Sequence, residues 1–536
     1  MLAPPPRGQT PRSALLRTAL LTAALASATG FAVAQENRLP DIGSSAGELI
    51  TPAKEAQYGA MLLAQLRHYD FLLEDPLVDS WLDLLGQRVA GASDDPDRSY
   101  TFFMLRQRDI NAFATLGGHI GVNSGLVLAA DREDEVAGVL AHEVAHVTQE
   151  HVLRGVERAQ RDQLPILLAM LGAIAVASQT DSNSSDDAAQ AAMVTAMGLA
   201  QQRQIDYTRS NESEADRVGI QALARGGFDP MGMADFFAKM HARSRTNAAS
   251  LYGETPDYLR THPMTTTRIT EAKERVERVR KPGASFTDGL RSDNPLLPGG
   301  VSVGTTRASG PTGVFELARE RLRVLSAPTP ADAIREYEAF KRSRALTDAE
   351  QYGLAVAHLR AGRPKQALPM LTSLSGRRPG DAWIELTLAE AESGTGDVAA
   401  ADARFEALLR KAPTSRPVAL TYARVLGERG TAAAGRRAQA ALRPLAATSA
   451  SDAVYQKVFA RASELAGDTA RAGEAHAEAA YLGGRPELAL VQLNNLKKRE
   501  DLDYYARARV EARIAAITPT VLELRRQGIR DEDVED

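Results

Sequence analysis

Glycine spacing in the second half of the chain constrains its fold more than any other feature. Gly362, Gly396 and Gly430 stand 34 residues apart, each closing a helical pattern, and Gly467 follows 37 further on. Pro379 and Pro413 keep the same interval of 34. At such a period no single unit can bury its apolar face alone, so neighbouring units must stack. Abundant alanine and an aromatic content of 5% favour helix over β-sandwich. A helical repeat array is therefore expected from Asp348 to Arg509, with a plain helical bundle as the alternative. At 536 residues the chain is too long for one core, and about three units are expected.

The chain contains no cysteine. Disulfides, thiolate metal sites, a cysteine nucleophile and a lipid-modified N-terminal cysteine are thereby excluded. Any metal must be held by His, Asp or Glu. A formal net charge of −4 argues against nucleic acid as a partner, which would need a basic face. Arg7, Arg12 and Arg17 precede the first acid, Glu36, and an apolar stretch from Thr18 to Ala28 leads to Ala32-Val33-Ala34. This pattern reads as a signal peptide over 1–34, cut after Ala34 and sending the chain out of the cytoplasm, with an uncleaved anchor as the alternative. Leu164 to Ala177 carries no charge but as a helix spans only about 21 Å, short of the roughly 30 Å membrane core. A buried or lid-like helix is the expectation there, and a peripheral contact with the membrane through 164–177 is the alternative.

One helix carries the chemistry. From Asp134 to Glu150 apolar residues recur at three- and four-residue steps, and His142-Glu143-Val144-Ala145-His146 lies within it. Histidines at i and i+4 share a face and can bind one Zn²⁺. Glu143 beside them can take a proton from a water and return it to a leaving amine. His151 does not meet the spacing of a third ligand in an extended histidine motif, because Gln149 and Val152 stand where glycine and histidine would be needed. Glu212 and Asp216, four apart on another helix, share a face; one can bind the metal while the other accepts the spare N–H of a ligand histidine. Glu214 points elsewhere by the same arithmetic. His262, between Thr261 and Pro263, is a further candidate. Upstream, Tyr100 to Leu105 reads as a strand, and Asn111 to Leu116, Gly117-Gly118 and His119 to Asn123 read as a hairpin.

His142 to His146, the Glu212-Ser213-Glu214-Ala215-Asp216 box, Gly226-Gly227-Phe228-Asp229-Pro230, and Thr261-His262-Pro263 with Arg268 together resemble the HtpX-type gluzincin metallopeptidases. Asn111-Ala112-Phe113-Ala114 and Gly117-Gly118 match that family as well, and the 34-residue period resembles the tetratricopeptide repeat. The resemblance implies a mainly α fold: a zincin-like α+β metalloprotease domain with a small sheet, followed by an α-solenoid. It implies one Zn²⁺ on His142, His146 and Glu212, with Glu143 as general base and Asp216 supporting a ligand histidine. His262 matches a histidine able to reach the metal and hold the enzyme latent, and Arg268 an arginine near the site. Asn111, Ala112, Phe113 and Ala114 would form the edge strand that takes substrate. His119 stands where the family often has an aromatic residue, which could alter preference at that strand.

The expected layout is a signal peptide over 1–34, a protease domain over 45–280, a linker or loosely docked extension over 281–313, repeats over 314–520 and an acidic tail over 521–536. With export and repeats added, the resemblance implies a periplasmic endopeptidase acting on misfolded or stalled outer-membrane proteins, with a chaperone-like role in outer-membrane assembly. The repeats would meet the β-barrel assembly machinery. A mostly latent protease serving as an interaction protein is the alternative, and an aminopeptidase a weaker one, since no acidic anchor for a substrate N-terminus stands out.

Overall fold

The computed structural model describes residues 51–155, 157–158, 208–248, 258, 262–280, 310–526 and 531. The expected signal peptide, the 164–177 segment and most of the 281–313 stretch lie outside these residues. Among the described residues no helix is long and apolar enough to cross a membrane.

Helices α1 (Pro52–His68) and α2 (Pro76–Ala90) both start with proline, whose missing N–H costs nothing there. Asp75 caps α2 by accepting from Val78 N at 3.2 Å. A three-stranded sheet follows, made of β1 (Thr101–Leu105), β2 (Ala112–Thr115) and β3 (His119–Asn123). Its order is β1-β3-β2, with β1 and β3 parallel and β2 and β3 antiparallel. The expected hairpin is present, and it leaves β2 at the sheet edge. Its turn depends on Gly117 and Gly118, at φ 69° and 74°. A Cβ on Gly118 would also stand 2.2 Å from Ser99 O.

Helix α3 (Glu133–Thr148) carries the two histidines and is buried along nearly its whole length. Its first-turn acids suit the helix dipole. Each is also tied to a neighbour: Trp81 Nε1 donates to Glu133 at 2.7 Å, Asp229 N to Asp134 at 2.9 Å and Lys239 Nζ to Glu135 at 2.6 Å. The helix ends before the Glu150 expected from periodicity. Gln149 caps it, Glu150 turns to φ 52°, and a new helical stretch begins at 151. Helix α4 (208–225) brings Glu212 and Asp216, α5 (Met231–Ala248) packs along α3, and α6 (Thr266–Arg280) brings Arg268. Gly138 lets α5 approach closely, since a Cβ there would meet the Met233 backbone at 2.8 Å.

From α7 (Phe315–Leu325) onward the chain is helical. Helix pairs such as Asp348–Arg360 with Pro364–Arg377, and Ala382–Thr395 with Val398–Lys411, repeat at the interval seen in the glycines. Gly362, Gly396, Gly430 and Gly467 all have positive φ, between 66° and 94°. The last helix, Tyr504–Arg526, runs past the boundary expected at 520, and Asp531 accepts from Leu488 N at 2.9 Å.

The protease and the first repeats share one apolar core, from Leu82 and Val139 through Phe315 to Tyr422. Just ahead of α7, Gly310 N donates to Gly227 O at 2.8 Å and Thr312 Oγ1 donates to Glu133 Oε1 at 2.5 Å. The end of the expected linker is thus held on the protease.

Candidate metal centre

One helical turn puts His142 Nε2 3.1 Å from His146 Nε2. Glu212 reaches across from α4, with Oε2 at 3.3 Å from His142 Nε2 and Oε1 at 3.4 Å from His146 Nε2. His262 completes the group, its Nδ1 3.3 Å from His142 Nε2 and 3.0 Å from Glu212 Oε1. A tetrahedral ion with bonds of about 2.0–2.2 Å keeps its ligand atoms about 3.3–3.6 Å apart. The close approaches within this donor set, 3.0 to 3.4 Å, lie near or slightly inside that spacing, so one ion could be held there. Four donors therefore converge: the three ligands that the resemblance implies and His262, the expected candidate for a fourth.

The carboxylates are buried and held ionised. Glu212 is 4% exposed and Asp216 fully buried. Burial opposes ionisation of Glu212, but contacts from His142, His146 and His262 hold its carboxyl far below the usual range. Burial likewise opposes Asp216, and His142 with Arg268 outweighs it. His142 Nδ1 lies 3.0 Å from Asp216 Oδ1, the partner expected for a ligand histidine. Burial pulls the His142 pKa down, yet Asp216 and Glu212 push it up to about 10. Glu212 thus brings a buried anion into the donor set, while Asp216 backs it from behind His142.

Arg268 grips Asp216 with both arms of its fork, Nε at 2.9 Å and Nη2 at 2.8 Å, and sets Nη1 2.9 Å from Glu212 Oε2. Glu143 is 1% exposed, and its Oε1 has no hydrogen-bond partner among the described residues. That oxygen lies 3.5 Å from His262 Nε2, beside the donor set rather than within it.

Two neighbours had no signal of their own in the chain's motifs. His151, set aside on spacing, lies with Nδ1 2.9 Å from His146 Nδ1 and Nε2 3.1 Å from Glu214 Oε2. Burial pushes its pKa down. Tyr258 is fully buried and stacks at a tilt on His262, ring centroids 4.8 Å apart. Its N donates to Ile110 O at 3.2 Å, and His262 N donates to Tyr258 O at 2.8 Å. The His262 segment is thereby tied to the start of the edge strand. In that strand Ala112 is buried and Phe113, Ala114 and Thr115 are half-buried, while Asn111 O accepts from Asn123 N at 2.9 Å. His119 lies on β3, the central strand, where it packs under Gly59 of α1.

Fold and site together define a metallopeptidase: an HExxH helix and an acidic second helix converge beside a small sheet in which β2 is an edge strand among the described residues, followed by helical repeats. The chain belongs to peptidase family M48, whose model matches residues 76–276; a tetratricopeptide repeat model matches 358–425. A β-barrel assembly-enhancing protease of Yersinia pestis is 31% identical over 485 residues, covering 89% of this chain and 91% of its own. The protein of that name from Escherichia coli K12 is 31% identical over 345 residues, 64% of each chain. A Vibrio cholerae protein given the name provisionally is 36% identical over 355 residues, 65% of this chain and 66% of its own. The matched region thus spans just under two thirds of the E. coli and V. cholerae proteins and most of the Y. pestis one.

Proposed function

We propose that the protein is a periplasmic zinc endopeptidase that cleaves misfolded or stalled outer-membrane proteins and aids their assembly in a chaperone-like way. The reading rests on the convergence of His142, His146 and Glu212, with Glu143 Oε1 beside them and without a hydrogen-bond partner among the described residues. Relatives named for β-barrel assembly and a signal-like N-terminus over 1–34 support the compartment and the clients.

In this reading His142, His146 and Glu212 hold one Zn²⁺, a nitrogen and carboxylate set suited to catalytic zinc. When bound, the ion supplies Lewis-acid polarisation of the scissile carbonyl. Glu143 takes the proton of the attacking water on its carboxylate and delivers it to the departing nitrogen. Asp216 and Arg268 keep His142 oriented. The substrate lies extended along β2, adding a strand at Asn111 to Ala114, so backbone rather than sequence supplies much of the affinity. Chains already folded into sheets have no free strand to offer, which selects unfolded or stalled ones. His262 takes the fourth position and holds the enzyme latent until the segment around it withdraws. The repeats supply the surface for the β-barrel assembly machinery.

Metal analysis of the full chain, paired with cleavage of an unfolded outer-membrane β-barrel protein, tests this. Wild type, Glu143→Gln and His262→Ala should each hold one zinc. Cleavage should vanish in the first variant and rise in the second. A zinc-free wild type, or unchanged cleavage by Glu143→Gln, would overturn the reading.

A further inference from the structure

His146 meets the donor set through Nε2, and its other ring nitrogen faces a second imidazole. Nδ1 of His146 and Nδ1 of His151 are 2.9 Å apart, with ring centroids at 4.7 Å. His151 Nε2 lies 3.1 Å from Glu214 Oε2, and Arg154 Nη2 approaches the same oxygen at 3.3 Å. His151 is 5% exposed, so this chain of contacts runs from a buried donor out to a half-exposed carboxylate.

The backbone is arranged to make the contact. On an unbroken helix, residue i+5 sits about 140° around from residue i, and His151 would face away from His146. Helix α3 instead stops at Thr148, and Glu150 adopts φ 52°. The left-handed region is costly for a residue with a Cβ. That turn starts the next helical stretch with His151 folded back beside His146.

Proton accounting allows one arrangement. A histidine that offers its Nε2 lone pair carries its proton on Nδ1, so His146 must donate there. His151 Nδ1 must then accept, which leaves its own proton on Nε2, aimed at the Glu214 carboxylate. We propose that His151, backed by Glu214, is a positioning residue that fixes the tautomer and ring orientation of His146. The proposal rests on the metal-centre reading above. It gives His146 the service that Asp216 gives His142, but through a neutral ring, so that no third buried anion is added to the pocket.

Zinc affinity of the full chain, measured by competition with a chromophoric chelator, tests the role without relying on activity. His151→Leu fills the volume but cannot accept a hydrogen bond, and should weaken zinc binding by about 10- to 100-fold. His151→Asn puts an accepting oxygen near the place of Nδ1 and should recover most of that loss. The thermal midpoints of the two metal-free variants should coincide. Wild-type affinity in His151→Leu, or equal weakness in both variants, would overturn the proposal. If His151→Leu fails to fold, Glu214→Ala replaces it: weaker zinc binding supports the relay, and unchanged binding refutes it. A wild-type chain that takes up no zinc refutes the metal centre itself and is distinguishable from both.

Discussion

Arg268 shows how one residue decides the state of several others. Its fork closes on Asp216, and the same guanidinium reaches Glu212, so a single cation lies against two buried carboxylates. Removing it leaves both carboxylates with histidine partners alone in a dry pocket, where the loss exceeds the net worth of the pair. Arg268→Ala should therefore cost about 3–5 kcal/mol of stability in urea unfolding of the metal-free chain. Arg268→Lys should restore only part, because an ammonium cannot bridge both Asp216 oxygens in a plane. A loss under about 1 kcal/mol, the worth of an exposed pair, would contradict this account. At this scale the legible residues were those that obey helical arithmetic: His142 with His146, and Glu212 with Asp216. His151 and Tyr258 were not legible, because their contacts depend on where a helix breaks and where a distant segment returns.

Elements here are bounded by local chemistry that can be tested one end at a time. Gly396 ends the helix Ala382–Thr395 at φ 94°, and a Cβ placed there would meet nothing within 4 Å. Gly396→Ala should thus cost about 1 kcal/mol from backbone conformation alone, read as a shift in urea midpoint at constant slope. No shift would mean that the helix end relaxes. At the start of Asp348–Arg360, Thr347 and Glu350 form a reciprocal capping box. The Arg344 guanidinium beside Glu350 holds its carboxyl down to about 2. A depressed carboxylate stabilises the fold above its ordinary value near 4.5, and that contribution fades as pH falls from 4.5 towards 2. Glu350→Gln should lower stability at neutral pH and flatten the dependence between those limits, measured by chemical unfolding across pH. An identical acid limb in both proteins would exclude Glu350 as its source. Helix type and spacing followed from sequence pattern, whereas the early end of α3 turns on Glu150 adopting a conformation its residue type disfavours.

Across the molecule, the protease and the first repeats are joined by buried polar contacts as well as by a common core. Asp75 caps α2 and also accepts both arms of Arg321 from α7, at 2.8 and 2.7 Å. Arg321 Nη1 continues to Tyr352 Oη at 3.2 Å, and Arg416 bridges Asp79 and Asp452. Calorimetry should accordingly show the protease and these repeats melting together. Arg321→Met strands Asp75 without its partner, so it should cost about 3–5 kcal/mol and separate the two parts into distinct transitions. A single transition at the wild-type temperature would refute that coupling. Such docking left no trace in a chain whose pattern read as two parts and a Pro/Gly-rich join. Periodicity and short spacings are local properties, so the amino-acid order alone was enough to indicate a helical array, an HExxH helix, a hairpin and a candidate metal site limited to histidine and carboxylate ligands. Contacts between elements depend on geometry far along the chain. The approach of His262 to the other three donors, the contact between His146 and His151 and the merging of two units around α2 and α7 were therefore visible only in the folded arrangement.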